Sequence, residues 1–486
     1  MDGSCCAQRS DVSENRSRLD ALSWASSQFG EADLGDLRRE SRLIRLAAAI
    51  AENASMTLPK QCASGADLAA AYRFLTNPEV DPQDILGPHC RMVRQEALEH
   101  RLVLCIADDT ELDFTHRSSL SGVGQIGDGR GRGLLQHSTL AVLPDGRVLG
   151  LLDVAWHAPQ RAPENETKLQ RQRRWNLSDL WPEAVQRIGL WESAGKLVHV
   201  GDRHADLFRH LSSIRSLGQE FLVRAMHDRK LPDHQRRLWG TVQSQPSLGT
   251  MRLSIGKQRD HRGRVSRKGR EAEVTLRSVR VELSPPPHDP RTAGWEPLAV
   301  WAVYLKEENP PAGLPQEQVI DWMLLSSLDA PELESARKAA QYYALRWRIE
   351  EWHRCYKQGC AIEASQLDDA EDIQRLGAVL CVVAVRLLQL RDMADEGHPN
   401  GNDPAALKCM FPPLYVQVVA RLAGERAEDM TPRRFLLQVA KQGGYLGRKN
   451  DPRPGWLVLW RGWNDIVQMV RGIEIYQRFI ESRKDV

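Results

Sequence analysis

Three carboxylates in this chain have the type and spacing to hold divalent cations. Asp108 follows the apolar run Leu102-Val103-Leu104-Cys105-Ile106-Ala107, Asp202 follows the run from Leu197 to Gly201, and Glu350 lies within the charged and aromatic segment from Tyr343 to Lys357. Two aspartates closing strands stand where open α/β sheets place ligand-binding groups. Together with a helix-borne glutamate they make an oxygen-rich site suited to Mg²⁺, with Mn²⁺ as substitute. Two such ions activate a water or a 3′-hydroxyl and stabilise the leaving oxygen of an in-line phosphodiester displacement. A helix is expected from Leu333 to Gln358. At about 100° per residue it places Tyr343, Arg346, Glu350 and Lys357 on one stripe and Leu345, Ile349, Trp352 and Tyr356 on the opposite face. The segment alone is also an ordinary amphipathic helix; the two aspartates give its charged row a chemical sense.

The surrounding elements follow from periodicity and turn chemistry. Segments Thr139 to Leu143 and Arg147 to Val154 read as strands joined by the turn Pro144-Asp145-Gly146. Helical sequence lies between Leu180 and Trp191, and alternation from about Phe221 to Leu325 predicts a mostly β segment. The stretch Lys257 to Arg270 sets seven basic residues against Asp260, which suits a loop gripping a nucleic-acid backbone or a solvated hairpin end. Apolar spacing predicts helices from Ala21 to about Pro78, with Arg38, Arg42 and Arg45 on one face. Helices are also expected over Ile373 to Met393, Ala405 to Glu425, Pro432 to Gln442 and Trp456 to Ile480, where Trp456, Trp460 and Trp463 form a core or interface stripe. Gly122-x-Gly124-x-x-Gly127 precedes a hairpin and not a helix, which excludes a dinucleotide loop.

With 486 residues the chain exceeds one hydrophobic core, and 42% hydrophobic with 27% charged residues is a globular composition. The net charge of +2 is compatible with a nucleic-acid binder whose basic residues are clustered. Nine cysteines without paired metal-ligand spacing point to reduced thiols. The polar segment Met1 to Arg18 lacks a signal-peptide core, and the longest apolar run, Leu376 to Val385, stops at Arg386. That length suits a buried helix, so a cytoplasmic protein without a membrane span is expected.

Asp108, Asp202-Arg203-His204-Ala205-Asp206 and Tyr343-x-x-Arg346-x-x-x-Glu350-x-x-x-x-x-x-Lys357 together resemble the DDE transposases of bacterial insertion sequences, in the IS-four family subgroup with the Tyr-Arg-Glu-Lys signature. Leu34-Gly35-Asp36-x-Arg38-Arg39, Ala71-Tyr72-Arg73-Phe74 and Gly455-Trp456-x-x-Leu459-Trp460-x-Gly462-Trp463 extend the resemblance over most of the chain. It implies an α/β, ribonuclease H-like catalytic core with a mixed sheet over 80–371, carrying a β insertion at about 215–325. A helical DNA-binding domain over 1–79 and a helical dimerisation domain over 372–486 would flank it. It also implies that Asp108, Asp202 and Glu350 bind two metal ions, that Tyr343, Arg346 and Lys357 grip DNA phosphates, and that Trp322 stacks on an extruded base. Arg38, Arg39, Arg42 and Arg224 would be further DNA contacts. The implied activity is cut-and-paste transposition by a synaptic homodimer on transposon-end and target DNA near the bacterial nucleoid. The alternative is a catalytically silent DNA-binding regulator. Asp109 stands where relatives commonly carry Thr; Asp108 is chosen as ligand because it is in register and consecutive strand residues face opposite ways. His204 replaces an acid common in relatives, and Glu351 lies off the charged stripe.

Overall fold

The computed structural model describes residues 21–482 apart from 55, 164, 233–235, 257, 260–264, 395–400, 449–450 and 452–453. The N-terminal segment through Arg18, and Lys257, Asp260, Arg262 and Arg264 of the basic stretch, lie outside the described residues. The chain divides into two compact units. One joins residues 1–92, 112–134 and 351–486; the other joins 93–111 and 135–350. The N- and C-terminal helical segments, expected as separate domains, therefore fall in one unit.

Twelve strands are described: β1 Leu102–Asp113, β2 Gly124–Ile126, β3 Gly131–Val142, β4 Val148–His157, β5 Lys196–Gly201, β6 Glu220–Arg224, β7 Gly249–Ile255, β8 Gln258–Arg259, β9 Val265–Arg267, β10 Arg270–Leu283, β11 Leu298–Lys306 and β12 Asp321–Ser326. The main sheet is mixed. β3 and β4 form the expected antiparallel hairpin, β3 neighbours β1, and β1, β5 and β6 run parallel. Beyond β6 the order continues β12, β11, β10, β7, all antiparallel. That is the β segment expected from alternation, and it also holds the short helix Leu238–Gln243. Val103 to Ala107 are buried because the central strand is covered on both faces, as a continuous apolar run requires.

Two expectations need correction. Asp108 does not close its strand, since β1 continues to Asp113. Backbone pairing needs no apolar side chains, so the polar residues after Ala107 remain extended beside β3. What ends near Asp108 is the parallel pairing with β5, whose last partners are Ile106 and Val200. The helix expected over Leu333 to Gln358 is also broken. It runs as Leu333–Ala344, then Trp347–Arg354 after a turn at Leu345 and Arg346, and passes into a π-helix at Cys355–Gly359. Arg346 N–H bonds Tyr343 O and Ile349 N–H bonds Arg346 O, a three-residue closure that tightens the chain at this point.

In the unit holding the terminal segments, the helix Ala370–Asp392 is the core. Among the described residues it alone is long and apolar enough to cross a membrane, and 83% of its apolar window is buried. The helix expected over Ala405 to Glu425 is split into Pro404–Met410 and Pro413–Ala423, because Pro412 and Pro413 lack the N–H a continuous helix needs. Trp463 of the aromatic stripe packs on Phe411 and Tyr415, as a core reading requires. The Gly-rich stretch has a steric purpose at Gly133, where a Cβ would lie 2.0 Å from Leu112 O. Gly133→Ala is therefore expected to lower the thermal midpoint, at a cost of roughly 1–3 kcal/mol for overpacking. Gly65→Ala, with open space around its Cα, should leave the midpoint unchanged when both are measured by scanning calorimetry.

Candidate active site

The parallel pair β1 and β5 brings two aspartates to one edge of the sheet. Asp108 lies within β1, two residues beyond its last partner on β5, and Asp202 follows Gly201 at the end of β5. Asp202 caps the short turn Arg203–Ala205 by accepting the His204 N–H at 2.7 Å. Its sequence neighbour Asp206 is fully buried and serves the fold: Oδ2 accepts the N–H groups of Met226 and His227, and Arg229 pairs with it. The two aspartates of Asp-Arg-His-Ala-Asp are thus divided between an accessible site and a structural tie.

Asp108 and Asp109 have different partners. Asp109 turns to the other face of β1, where Oδ1 lies 2.6 Å from Nδ1 of the buried His137 and Oδ2 accepts Trp181 Nε1–H at 3.2 Å. A Cβ on Gly201 would lie 3.0 Å from Trp181 Cζ3. One indole thus touches the residue after Asp108 and the residue before Asp202. This network was not anticipated from sequence; the adjacent aspartates were its only visible trace.

Glu350 enters from the helix Trp347–Arg354, whose opposite face buries Ile349 and Trp352. Arg346 stands between it and β1: Nη1 lies 3.2 Å from Asp108 Oδ2, and Nη2 donates to Glu350 Oε1 at 2.6 Å. Burial pushes the Asp108 carboxyl up to about 7, opposed by Arg346 and reinforced by the like charge of Asp202. Burial alone would lower the Arg346 pKa, but the fields of Tyr343, Glu350 and Asp108 outweigh it and raise it. Burial also raises Tyr343, which shares its field with Arg346 and Arg224. Arg224 is lowered by burial, and its Nη2 donates to Asp321 O at 3.0 Å. Trp322 is partly buried and meets Tyr343 edge to face at 5.1 Å. Arg267, from the basic stretch, lies over the Trp347 ring at 4.9 Å and feels the charge of Glu350.

The remaining residues singled out in the sequence lie in the other unit. Lys357 sits in the π-helix and pairs with Glu363 Oε1 at 2.9 Å. Glu351 pairs with Arg391 at 2.7 Å, a role distinct from that of Glu350. Arg38, Arg39 and Arg42 lie on the helix Leu37–Glu52, which Asp36 caps. Arg39 pairs with Glu79, Arg42 pairs with Asp67 at 3.2 Å, and Arg38 is exposed. Among the described residues no three His, Cys, Asp or Glu side chains form a ready metal cluster; at Asp108 and Glu350 the bridging cation is Arg346.

The family described as transposase DNA-binding matches residues 21–80. The cryo-EM structure of a piggyBac transposase synaptic complex with hairpin DNA aligns with 94% of this chain and 84% of its own, at 9% identity and a TM-score of 0.36.

The Asp108 shift has a definite sign. A carboxyl raised in the folded state binds its proton more tightly there, so its contribution is fully present below the unfolded value of 3.8 and is lost as pH rises through about 7. Without divalent cations, Asp108→Asn is expected to melt at a higher temperature than the wild type at pH 8. The difference should shrink as pH falls toward 4. At roughly 1.4 kcal/mol per unit the effect is a few kcal/mol, and equal pH slopes for the two proteins in thermal scans would refute it.

Proposed function

We propose that this chain is a cut-and-paste DDE transposase that binds transposon ends and performs phosphodiester hydrolysis and transesterification with Asp108, Asp202 and Glu350. The observation that carries the reading is that Asp108, Glu350 and Arg346 meet beside Asp202 in a largely buried setting. The transposase DNA-binding match at residues 21–80 supports DNA as the substrate. The hairpin β3–β4, followed by β1, β5 and β6 in parallel order, supports a ribonuclease H-like core with β7 to β11 inserted between β6 and β12.

The carboxylate donor set is all oxygen, and Asp108 feels the like charge of Asp202. Both fit hard divalent cations. Asp108, Asp202 and Glu350 would hold two Mg²⁺ or Mn²⁺ ions, which when bound supply Lewis acidity to the attacking and leaving oxygens. The chain's own groups position the DNA. Arg346 and Tyr343 hold a backbone phosphate beside the carboxylates, with Arg224 supporting Tyr343, and Lys357 grips a DNA phosphate. Trp322 offers a stacking surface to a base turned out of the helix.

In the nick, a water oxygen bonds to phosphorus while the bond to the 3′-oxygen breaks, which releases a 3′-hydroxyl. That hydroxyl attacks the opposite strand and closes a hairpin, water reopens it, and the same 3′-hydroxyl then joins target DNA. Each step exchanges one phosphorus–oxygen bond for another, so one site serves all four. A homodimer would hold two ends together in the bacterial cytoplasm.

Mn²⁺-dependent cleavage of DNA carrying the sequences that flank the gene, searched for inverted repeats, tests this reading. Wild type should pass through a hairpin intermediate. Glu350→Ala, at equal DNA occupancy, should fall below about one-hundredth of the wild-type rate, the scale of losing one transition-state electrostatic contact. Binding without cleavage by the wild type would leave a DNA-binding regulator. Arg38 offers a separate check, because Arg39 and Arg42 are partly engaged by acids. Arg38→Ala should weaken binding and flatten the dependence of log K on log salt by about 0.9, the contribution of one phosphate contact; an unchanged slope would remove Arg38 from the interface.

A further inference from the structure

We propose that Arg346 is a resident cation of the carboxylate site that a divalent ion must displace, so that metal loading and capture of a DNA phosphate favour one another. The inference rests on the reading that Asp108, Asp202 and Glu350 bind the metal. Arg346 places Nη1 3.2 Å from Asp108 Oδ2 and Nη2 2.6 Å from Glu350 Oε1. Its planar fork joins Asp108, 238 residues away in sequence, to Glu350 one helical turn on, a geometry that guanidinium suits and a Lys ammonium does not. The side chains of Asp108, Arg346 and Glu350 are 15%, 20% and 29% exposed. Charges so withdrawn from water need a counter-charge, and removing one partner of such a group leaves the others uncompensated.

The oxygens that Arg346 engages are those the metal would need. One cation position therefore has two occupants. Like-charge repulsion keeps a guanidinium and a divalent ion from sharing both carboxylates at full strength, so each weakens the other's hold.

The chain also gives Arg346 a second place to go. The residue lies in the turn between Leu333–Ala344 and Trp347–Arg354, where the regular helix is interrupted. Tyr343 interacts with both Arg346 and Arg224. A phosphate arriving at Tyr343 and Arg224 offers the guanidinium a bidentate partner and draws it from Asp108 and Glu350. By linkage, an agent that withdraws Arg346 raises metal affinity, and the metal raises phosphate affinity by the same factor. Without DNA the site then holds metal weakly, which restrains hydrolysis away from the transposon end.

The test needs only the full chain and Mn²⁺, without DNA, with free Mn²⁺ followed by electron paramagnetic resonance. Arg346→Gln and Arg346→Met remove the charge while keeping much of the stem, and near-wild-type circular dichroism shows that they fold. Both are expected to bind Mn²⁺ about tenfold more tightly than the wild type, within the usual range of coupling between sites. Adding Glu350→Ala to either should abolish the gain. Unchanged or weaker binding in both single variants, with Glu350→Ala still lowering wild-type affinity, overturns the competition and leaves the metal site standing. If Glu350→Ala and Asp108→Asn leave Mn²⁺ affinity untouched in every background, the metal-site reading fails and the competition with it.

Discussion

Parallel pairing of β1 with β5 sets Asp108 and Asp202 side by side, and the rest of the site accommodates the repulsion that this creates. Five residues of each strand are in register, from Leu102 opposite Lys196 to Ile106 opposite Val200. Both chains then turn polar at the same edge. Two carboxylates in a partly desolvated setting resist joint ionisation, and the proton affinity of Asp108, raised chiefly by burial, is raised further by Asp202. Positive charge must come from somewhere. In this structure Arg346 supplies it, aimed by the turn that precedes the helix of Glu350.

Holding like charges together requires a frame that does not yield, and the frame here is built on the reverse face of β1. Asp109 binds His137 and Trp181, and Trp181 in turn packs against Gly201 and stands edge to face with His137 and His210. Gly201 is suited to this contact because a Cβ would lie 2.3 Å from Ala205 Cβ as well as close to the indole. Asp206 then ties the turn after Asp202 to the chain leaving β6 through Met226 and His227 N–H groups. Buried hydrogen bonds of this kind favour one arrangement, since breaking them would strand a buried donor or acceptor. Neighbouring acids of the same type thus differ in their partners: Asp108 meets Arg346, while Asp109 and Asp206 serve local order.

Much of this was legible in sequence because it follows from local rules. The run Leu102 to Ala107 could only be a covered strand, and Pro144-Asp145-Gly146 gives the turn seen, with Gly146 at φ 90° and Asp145 accepting the Arg147 N–H. The alternation of strand faces was enough to separate Asp108 from Asp109. What escaped was whatever depends on neighbours distant in sequence. β1 runs on past its apolar residues because β3 lies beside it, not because of its own composition. A wheel drawn from Tyr343 to Lys357 assumes an unbroken helix, whereas the turn at Arg346 and the π-helix at Cys355–Gly359 each reset the phase.

The phase changes divide the labour of the signature residues. Glu350 and Glu351 are adjacent on one helix, yet Glu350 meets Arg346 and Glu351 meets Arg391. A step of about 100° is sufficient to send two identical side chains to different cations. The π-helix that follows closes on Cys355 O with the Cys360 N–H at 2.8 Å, and within it Lys357 is paired with Glu363. Arg346 and Lys357 are therefore each held by carboxylates in this structure.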